Sequence, residues 1–476
     1  MPPIAIRAER FPWAWACLGL AGSVLVALAG PRVAGGPVRW WFDPSLGGVD
    51  VAVLYAGILA LSIAWLALRR LAVTTTQMWI VGAAWCMPLL LTAPLFSHDA
   101  YSYLAQGTLV HIGIDPYHHA PAVLAQVGRA HVLAAVDSFW RHTTAPYGPL
   151  FLWIVSGIVA LTGSHLVIGV LLIRLLDVAG LVLVALFAPR LARALAADPA
   201  RATWWVFSPL VLLELVTPAH NDLLMIGLLV AGVTLAIERR VLMGIAVCAL
   251  AATIKLPAAA AIVFIGVMWV RDQPARSALA GSRAAVAAAA VGLGVVAAVT
   301  VITGLGLEWI STSVFSTPDK VRLAITPATA LGWTVAQVVP IGARGLESAL
   351  GVVAFALSCA LGAVLLWRTR REDMVRYLGI TLIAVAICGP AAWPWYLTWG
   401  LVLLATCPGI QDSLVLALAV AAGAFVVKAD GILAFPIHTA PLFVVLYVAA
   451  AIAVVVVVSR RRPAVRTARL RPVAES

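Results

Sequence analysis

Over most of this chain, Ala, Val, Leu, Ile and Gly run on for about the twenty residues that a helix needs to cross a bilayer. Apolar stretches occupy residues 11–30, 51–68, 74–95, 148–162, 166–188, 203–217, 222–237, 241–270, 284–303, 327–341, 346–367, 377–389, 396–406, 412–427 and 440–459. Backbone polar groups cannot stay unpaired in hydrocarbon, so these stretches read as helices. The pattern predicts an all-α polytopic membrane protein with about twelve to fourteen crossings, built as a single integral membrane domain over residues 1–476. The longest polar interruption, Ser97 to Pro149, gathers four Tyr, six His, three Asp and two Arg. Scaffolds position and loops carry function, so the catalytic region is expected in a loop of about residues 96–149 that carries short helices of its own. Smaller polar excursions follow at 304–326, in PAAWPWYLTW and in KADGILAFPIH.

Composition agrees with this picture. The chain is 63% hydrophobic and 11% charged, against roughly 25% charged residues in a soluble domain. A net charge of +12 invites a nucleic-acid reading, but the basic residues sit in short connections and in the tail SRRRPAVRTARLR. That distribution is what orientation by the positive-inside rule produces, with anionic membrane lipids as partners and no nucleic acid. Cys17, Cys86, Cys248, Cys359, Cys388 and Cys407 stand singly, without metal or redox spacing. The basic start and apolar run of residues 1–30 read as a retained signal anchor.

Orientation follows from Lys and Arg. Arg7 and Arg10 put the N-terminus in the cytoplasm, Arg69 and Arg70 return there after two crossings, and the third segment delivers residues 96–149 to the outer face of the inner, plasma membrane. LARALAADPAR, ERR at 238–240, RDQPARSALAGSR, RTRRED at 368–373 and the basic tail of about 460–476 all read as cytoplasmic. Parity then leaves two readings: either 148–162 lies along the outer face without crossing, or the positive-inside rule fails once, and the same choice applies to 327–341. The non-crossing reading also makes 241–270, broken at Lys255-Leu256-Pro257, two short helices meeting at the outer side.

The chemistry-bearing residues fall in these outer positions. A helix starting at His98-Asp99 puts Asp99, Tyr103, Gln106 and Val110 on one face, while the bland alternative makes Asp99 its N-cap. Asp115 opens a turn at Asp115-Pro116-Tyr117, and the turn is the favoured reading there. His98, His111, His118, His119, His131 and His142 fit no compact ligand set, so no metal is expected. Arg141, just before TTAPYGP with Tyr147, suits a phosphate, a lipid headgroup or an aromatic stack. His220, Asn221 and Asp222 either cap a helix or join a shared cavity with Asp99. Lys255 has no local partner and is a functional candidate by default. Arg174 and Asp177, three apart on one helix, are expected to neutralise each other, and Glu214 has no assignable role. Trp393, Trp395, Tyr396 and Trp399 form either an interfacial belt or a platform for a sugar or isoprenoid chain.

Taken in order, HDAYSYLAQGTLVHIGIDPY, WRHTTAPYGPL, SPLVLLELVTPAHNDLLM, ATIKLPA and PAAWPWYLTW resemble the actinobacterial polyprenol-phosphate-mannose-dependent α-(1→6)-mannopyranosyltransferases. These build the mannan of lipomannan and lipoarabinomannan and belong to the GT-C group of membrane glycosyltransferases. The resemblance covers about residues 78–399. Where that family's pattern has Asn-Pro-Leu, and a Gly before His-Asn-Asp, this chain has Ser208-Pro209-Leu210 and Pro218-Ala219. The resemblance implies a GT-C-type fold, Asp99 as catalytic base, a polyprenyl-phosphate-mannose donor and a lipid-linked mannan acceptor. It implies a single inverting displacement without cofactor, with Lys255, Arg141 or Arg322 stabilising the departing phosphate. The remaining candidates, from His98 to Tyr396, would hold the substrates. Another polyprenyl-phosphate sugar is the alternative donor. The rival class is a transporter or flippase for a lipid-linked sugar, which usually carries paired halves and midplane charges; here no repeat is visible and the polar residues collect in outer loops.

Overall fold

The computed structural model describes residues 11–41, 46–163, 165–274, 277–313, 326–339, 342–389, 392–432, 434 and 437–449. Three helices open the chain: α1 (Trp13–Ala34), α2 (Asp50–Leu68) and α3 (Thr75–Leu91). After α4 (Asp99–His111) come two short turns of helix at Pro121–Ala125 and Ala130–Ala134, then α5 (Pro149–Thr162) and α6 (Leu166–Ala194). α7 (Pro199–Val206) continues, past a break at Ser208-Pro209, into a π-helical turn over Leu212–Val216. The chain then forms α8 (Asp222–Ile237), α9 (Val241–Ala252), α10 (Ala259–Arg271), α11 (Ala278–Thr303), α12 (Pro327–Ala336) and α13 (Ala343–Arg368). α14 (Met374–Cys388), α15 (Thr398–Leu404), α16 (Leu414–Gly423) and α17 (Ala440–Ala449) complete the described residues. The protein is an all-α polytopic bundle, and one continuous apolar core runs from Val26 to Ala429.

Basic residues tie the connections together at one end of this bundle. Arg190 pairs with Glu238, Arg239 and Arg371 both reach Asp272, and Arg271 donates to the carbonyl oxygen of Thr369. Arg201 meets Asp412 and the carbonyl of Arg69. The loops expected on a common side, around residues 69, 190–201, 238–240, 271–272 and 369–371, therefore do assemble on one face.

Helix direction relative to that face bears on which segments turn back. α6 ends there at Arg190, and α5 begins at the opposite end, where Gly148 N–H donates to the Ile254 carbonyl at 2.9 Å. Both ends of α5 thus lie away from the basic face. α12 spans ten residues, about 15 Å of helix, and the helix after it, α13, is the one that descends to the basic face. At ten residues α12 falls well short of the roughly twenty that a crossing helix needs. α9 and α10 leave and rejoin the basic face at Arg239 and Asp272, which are 3.8 Å apart. They form a hairpin whose apex is Thr253–Lys255.

Two close approaches fix the heights of these elements. A Cβ on Gly148 would meet the Thr253 carbonyl oxygen at 2.1 Å, so only glycine lets the end of the 96–149 loop touch the hairpin apex. α6 and α8 cross where a Cβ on Gly180 would lie 2.4 Å from the Leu223 carbonyl. That crossing sets the first turn of α8, with Asp222, at the level of the apex.

One expectation fails. Arg174 is fully inside the bundle but donates to the carbonyls of Leu90, Thr92 and Thr217 and lies 5.2 Å over the Trp40 ring. It does not bond Asp177, whose two oxygens have no hydrogen-bond partner among the described residues. Spacing of three along a helix brings the two into one another's field, but the carbonyls freed where α3 and the π-turn end compete better for a fork of donors.

Candidate functional site

The apex opposite the basic face collects polar side chains from four separate stretches. The segment before α4 turns through Phe96 with φ of 66°, and Ser97 Oγ accepts from the Asp99 amide at 3.1 Å. Asp99 therefore heads α4 without capping it, because its side chain is committed elsewhere. Its Oδ1 accepts from Trp140 Nε1 at 2.9 Å, across the loop, and its Oδ2 stands 3.7 Å from His220 Nε2.

His220 follows a second left-handed residue, Ala219, with φ of 63°. Its ring lies 4.4 Å from Trp395, and its Nδ1 is 2.7 Å from the Glu214 carbonyl oxygen. Asn221 and Asp222 do not cap α8 either. Asp222, wholly buried, holds Lys255 Nζ through both oxygens at 2.9 and 2.7 Å and accepts from Trp399 Nε1 at 2.6 Å. Lys255 thus finds its partner across the helix pair. Its ammonium also lies 4.6 Å over Tyr396, 5.5 Å over Trp399 and 6.0 Å from Tyr147.

Tyr103 joins the two halves. Its hydroxyl is 3.5 Å from Asn221 Oδ1, and its ring meets Tyr147 edge-on at 4.9 Å. Gln106, one turn further along the Asp99 face, is buried with neither amide atom partnered among the described residues, and Asn221 Nδ2 is also without a partner there. Trp393 stacks on Trp395 at 4.8 Å, and both rings are buried. These aromatics wall the site instead of forming an outer belt.

Asp99 and His220 lie outside the spanning segments, and burial acts on them in opposite directions. Desolvation pushes the Asp99 carboxyl up to about 6, with Asp137 and Asp222 adding and with Lys255 and the Trp140 indole opposing. Desolvation pushes His220 down to about 4, so the ring is neutral. A carboxylate poised near neutrality next to a buried cation is the equipment of general-base chemistry on a substrate with an anionic leaving group.

The other candidates sit apart from this centre. His98 is buried, with Nδ1 3.6 Å from Asp137. Asp115 holds its turn by accepting from the Tyr117 amide at 2.8 Å and pairs with the exposed His118, whose pKa that hydrogen bond raises. Tyr117 donates to the Tyr147 carbonyl oxygen. Arg141 donates to the carbonyls of Val136 and Ala134, which fastens the loop to itself. Arg322 lies outside the described residues. Among the described residues, no group of three His, Cys, Asp or Glu is arranged to hold a metal ion. A cavity of about 500 Å³ also opens on the Tyr101 side of α4, with Arg32 and Arg39 in its lining.

Sequence reasoning missed Trp140 and the Glu214 carbonyl. Trp140 is 41 residues from Asp99, and no spacing signals such a contact. The carbonyl does have a signal, because residue 218, which a regular helix would set against it, is a proline without an N–H.

Residues 16–271 match the family described as alpha-(1->6)-mannopyranosyltransferase, N-terminal domain, and residues 326–460 match the MptB C-terminal domain. Alpha-(1->6)-mannopyranosyltransferase A of Mycobacterium tuberculosis is 34% identical over 82% of this chain and 79% of its own length. A probable alpha-(1->6)-mannopyranosyltransferase of Mycolicibacterium smegmatis is 30% identical over 87% of this chain and 82% of its own. Alpha-(1->6)-mannopyranosyltransferase A of Corynebacterium glutamicum is 32% identical over 56% of this chain and 59% of its own. No solved structure matches the chain.

Proposed function

The chain belongs to the alpha-(1->6)-mannopyranosyltransferase family and is a membrane hexosyltransferase, and on that premise we propose that it transfers mannose from a polyprenyl-phosphate carrier to a mannan 6-hydroxyl. The reaction is a single inverting displacement in which Asp99 Oδ2 takes the proton of the acceptor hydroxyl. The hydroxyl oxygen forms the bond to the anomeric carbon as the bond from that carbon to the phosphate oxygen breaks. The electron pair leaves on the polyprenyl phosphate, whose growing charge Lys255 meets. A β-linked donor gives an α-linkage, and phosphate leaves without a protein acid.

The observation that carries this reading is the pairing of Asp99, with one oxygen held by Trp140 and the other without a donor among the described residues, with the Lys255–Asp222 pair at the same end of the bundle. The Gln106 amide and Asn221 Nδ2, without partners among the described residues, are suited to sugar hydroxyls, and the Trp393–Trp395 stack to a pyranose face. The acceptor is a lipid-linked mannan of the lipomannan type, and the donor's tail lies between helices. No cofactor enters. Under the positive-inside rule the basic face is cytoplasmic, both termini lie on that side, and the site opens outside the plasma membrane.

The test is transfer by purified protein in detergent from radiolabelled mannosyl phosphoryl polyprenol to a short α-(1→6)-mannoside, followed by linkage analysis. The expected product is extended by α-(1→6)-linked mannose. Product only with another lipid-linked sugar, or a different linkage, would overturn the assignment.

A further inference from the structure

We propose that His220 is a positioning residue for the base: its Nε2 is the lone pair that receives a hydrogen bond from Asp99 Oδ2 once Asp99 carries the acceptor's proton. The inference rests on the reading of Asp99 as base and adds the group that holds the proton there.

The tautomer follows from the backbone. A carbonyl oxygen only accepts, so His220 Nδ1, 2.7 Å from the Glu214 oxygen, carries the hydrogen. That oxygen is available because the helix ends in a π-turn and Pro218 supplies no N–H. In a neutral ring the lone pair is then on Nε2. This atom is wholly buried, has no hydrogen-bond partner among the described residues and faces Asp99 Oδ2 at 3.7 Å. Against an ionised carboxylate, two acceptors face each other and no bond forms. Protonation of Oδ2 turns the same pair into an O–H···N hydrogen bond.

The two oxygens of Asp99 are thereby distinguished. Oδ1 is occupied by the Trp140 N–H, while Oδ2 faces a partner that wants a proton. The Trp395 ring, 4.4 Å away and tilted by 36°, packs against the imidazole and helps hold it in place. Charges around the pair do not move the proton on to His220. Lys255, Asp137 and Asp222 act on Asp99, and Tyr103, Tyr147 and Tyr396 lie within its field. Asp222 and Lys255 also act on His220, and His98 adjoins Asp99 in the chain. Desolvation favours a neutral ring and a neutral acid together, so the proton stays on Asp99 until it is released to water after transfer.

The test compares His220→Phe, which keeps a ring against Trp395 and deletes the acceptor, with His220→Gln, whose amide oxygen restores it. Rates of mannosyl transfer are measured against pH in purified protein, with folding followed by thermal melting. In His220→Phe, kcat falls about tenfold or more, the loss of one hydrogen bond to the transferred proton. KM for the lipid donor changes little, and the acid limb of the profile moves about one pH unit lower because Asp99 loses the partner that favoured its protonated form. His220→Gln recovers most of the rate and the original limb. An equal loss at every pH with an unmoved limb, or a Gln variant no better than Phe, would overturn the proposal. If His220→Phe does not fold, His220→Asn, too short to reach Oδ2, takes its place with the same two outcomes. An inert Asp99→Asn alongside an unmoved His220 profile sinks only this inference, whereas a fully active Asp99→Asn sinks the reading beneath it.

Discussion

Asp222 and Lys255 show how a single buried residue can serve both stability and chemistry. Asp222 is wholly buried and Lys255 is 12% exposed, so each makes the other tolerable out of water. Removing the cation leaves a carboxylate stranded inside, which typically costs about 3–5 kcal/mol. Lys255→Met is therefore expected to melt well below the parent protein in detergent, while Lys255→Met with Asp222→Leu regains most of that loss. The double variant should still use the lipid donor poorly, because no ammonium remains to meet its phosphate. A double variant with normal donor dependence would remove Lys255 from the phosphate site. The sequence marked Lys255 as a cation without a local partner, but could not name Asp222, because the pair closes over 33 residues. Asp99, Tyr103 and Gln106 were legible for the opposite reason: their spacing lies within one helix.

At the scale of elements, irregular pieces hold the site and regular ones carry it. The break at Thr253–Lys255 turns what reads as one apolar stretch into the α9–α10 hairpin, and the proline and lysine signal it. The interruption at Ser208-Pro209 and the π-turn that follows are read through as one apolar stretch over 203–217, although Pro209 and Pro218 mark both. Left-handed residues precede both polar segments of the site, at Phe96 and Ala219. A side chain in that conformation costs roughly 1–2 kcal/mol, which gives a physical reason for the glycine expected just before His-Asn-Asp in the family pattern. Ala219→Gly should raise stability by about 0.5–1 kcal/mol after the extra chain entropy of glycine is set against the relief of strain. Thermal melting with activity as a control checks this, and a lower melting point would mean that the turn is not strained.

Over the whole molecule, charge and apolar length do separate work. Among the described residues, five helices are long and apolar enough to cross a membrane: Trp13–Ala34, Asp50–Leu68, Leu166–Ala194, Ala278–Thr303 and Arg344–Arg368. The last two are the least buried of the five, at 11–17%, and stand at the perimeter where lipid would cover them. A shorter helix such as α8 is tolerated because protein, and not lipid, surrounds it, all of its residues but Leu224, Leu228 and Ile237 being buried. Counting Lys and Arg in the connections left 148–162 and 327–341 either turning back or breaking the rule once, and it did foretell that the basic loops meet on one face. What the count could not supply was the meeting of Asp99, His220 and Lys255, which depends on glycine-limited contacts between distant helices.

The central claim is that the free oxygen of Asp99 takes the acceptor's proton, and transfer by purified Asp99→Asn as a function of pH tests it most directly. The parent protein should lose activity as the pH falls through about 6, because the base works only when ionised and burial sets its carboxyl near that value. Asn keeps the size and the bond from Trp140, so the variant should melt like the parent while transferring mannose about 10²–10⁴ times more slowly, with no acid limb in that range. Parent-like rates from a folded Asp99→Asn, or the same acid limb without the carboxyl, would contradict the account.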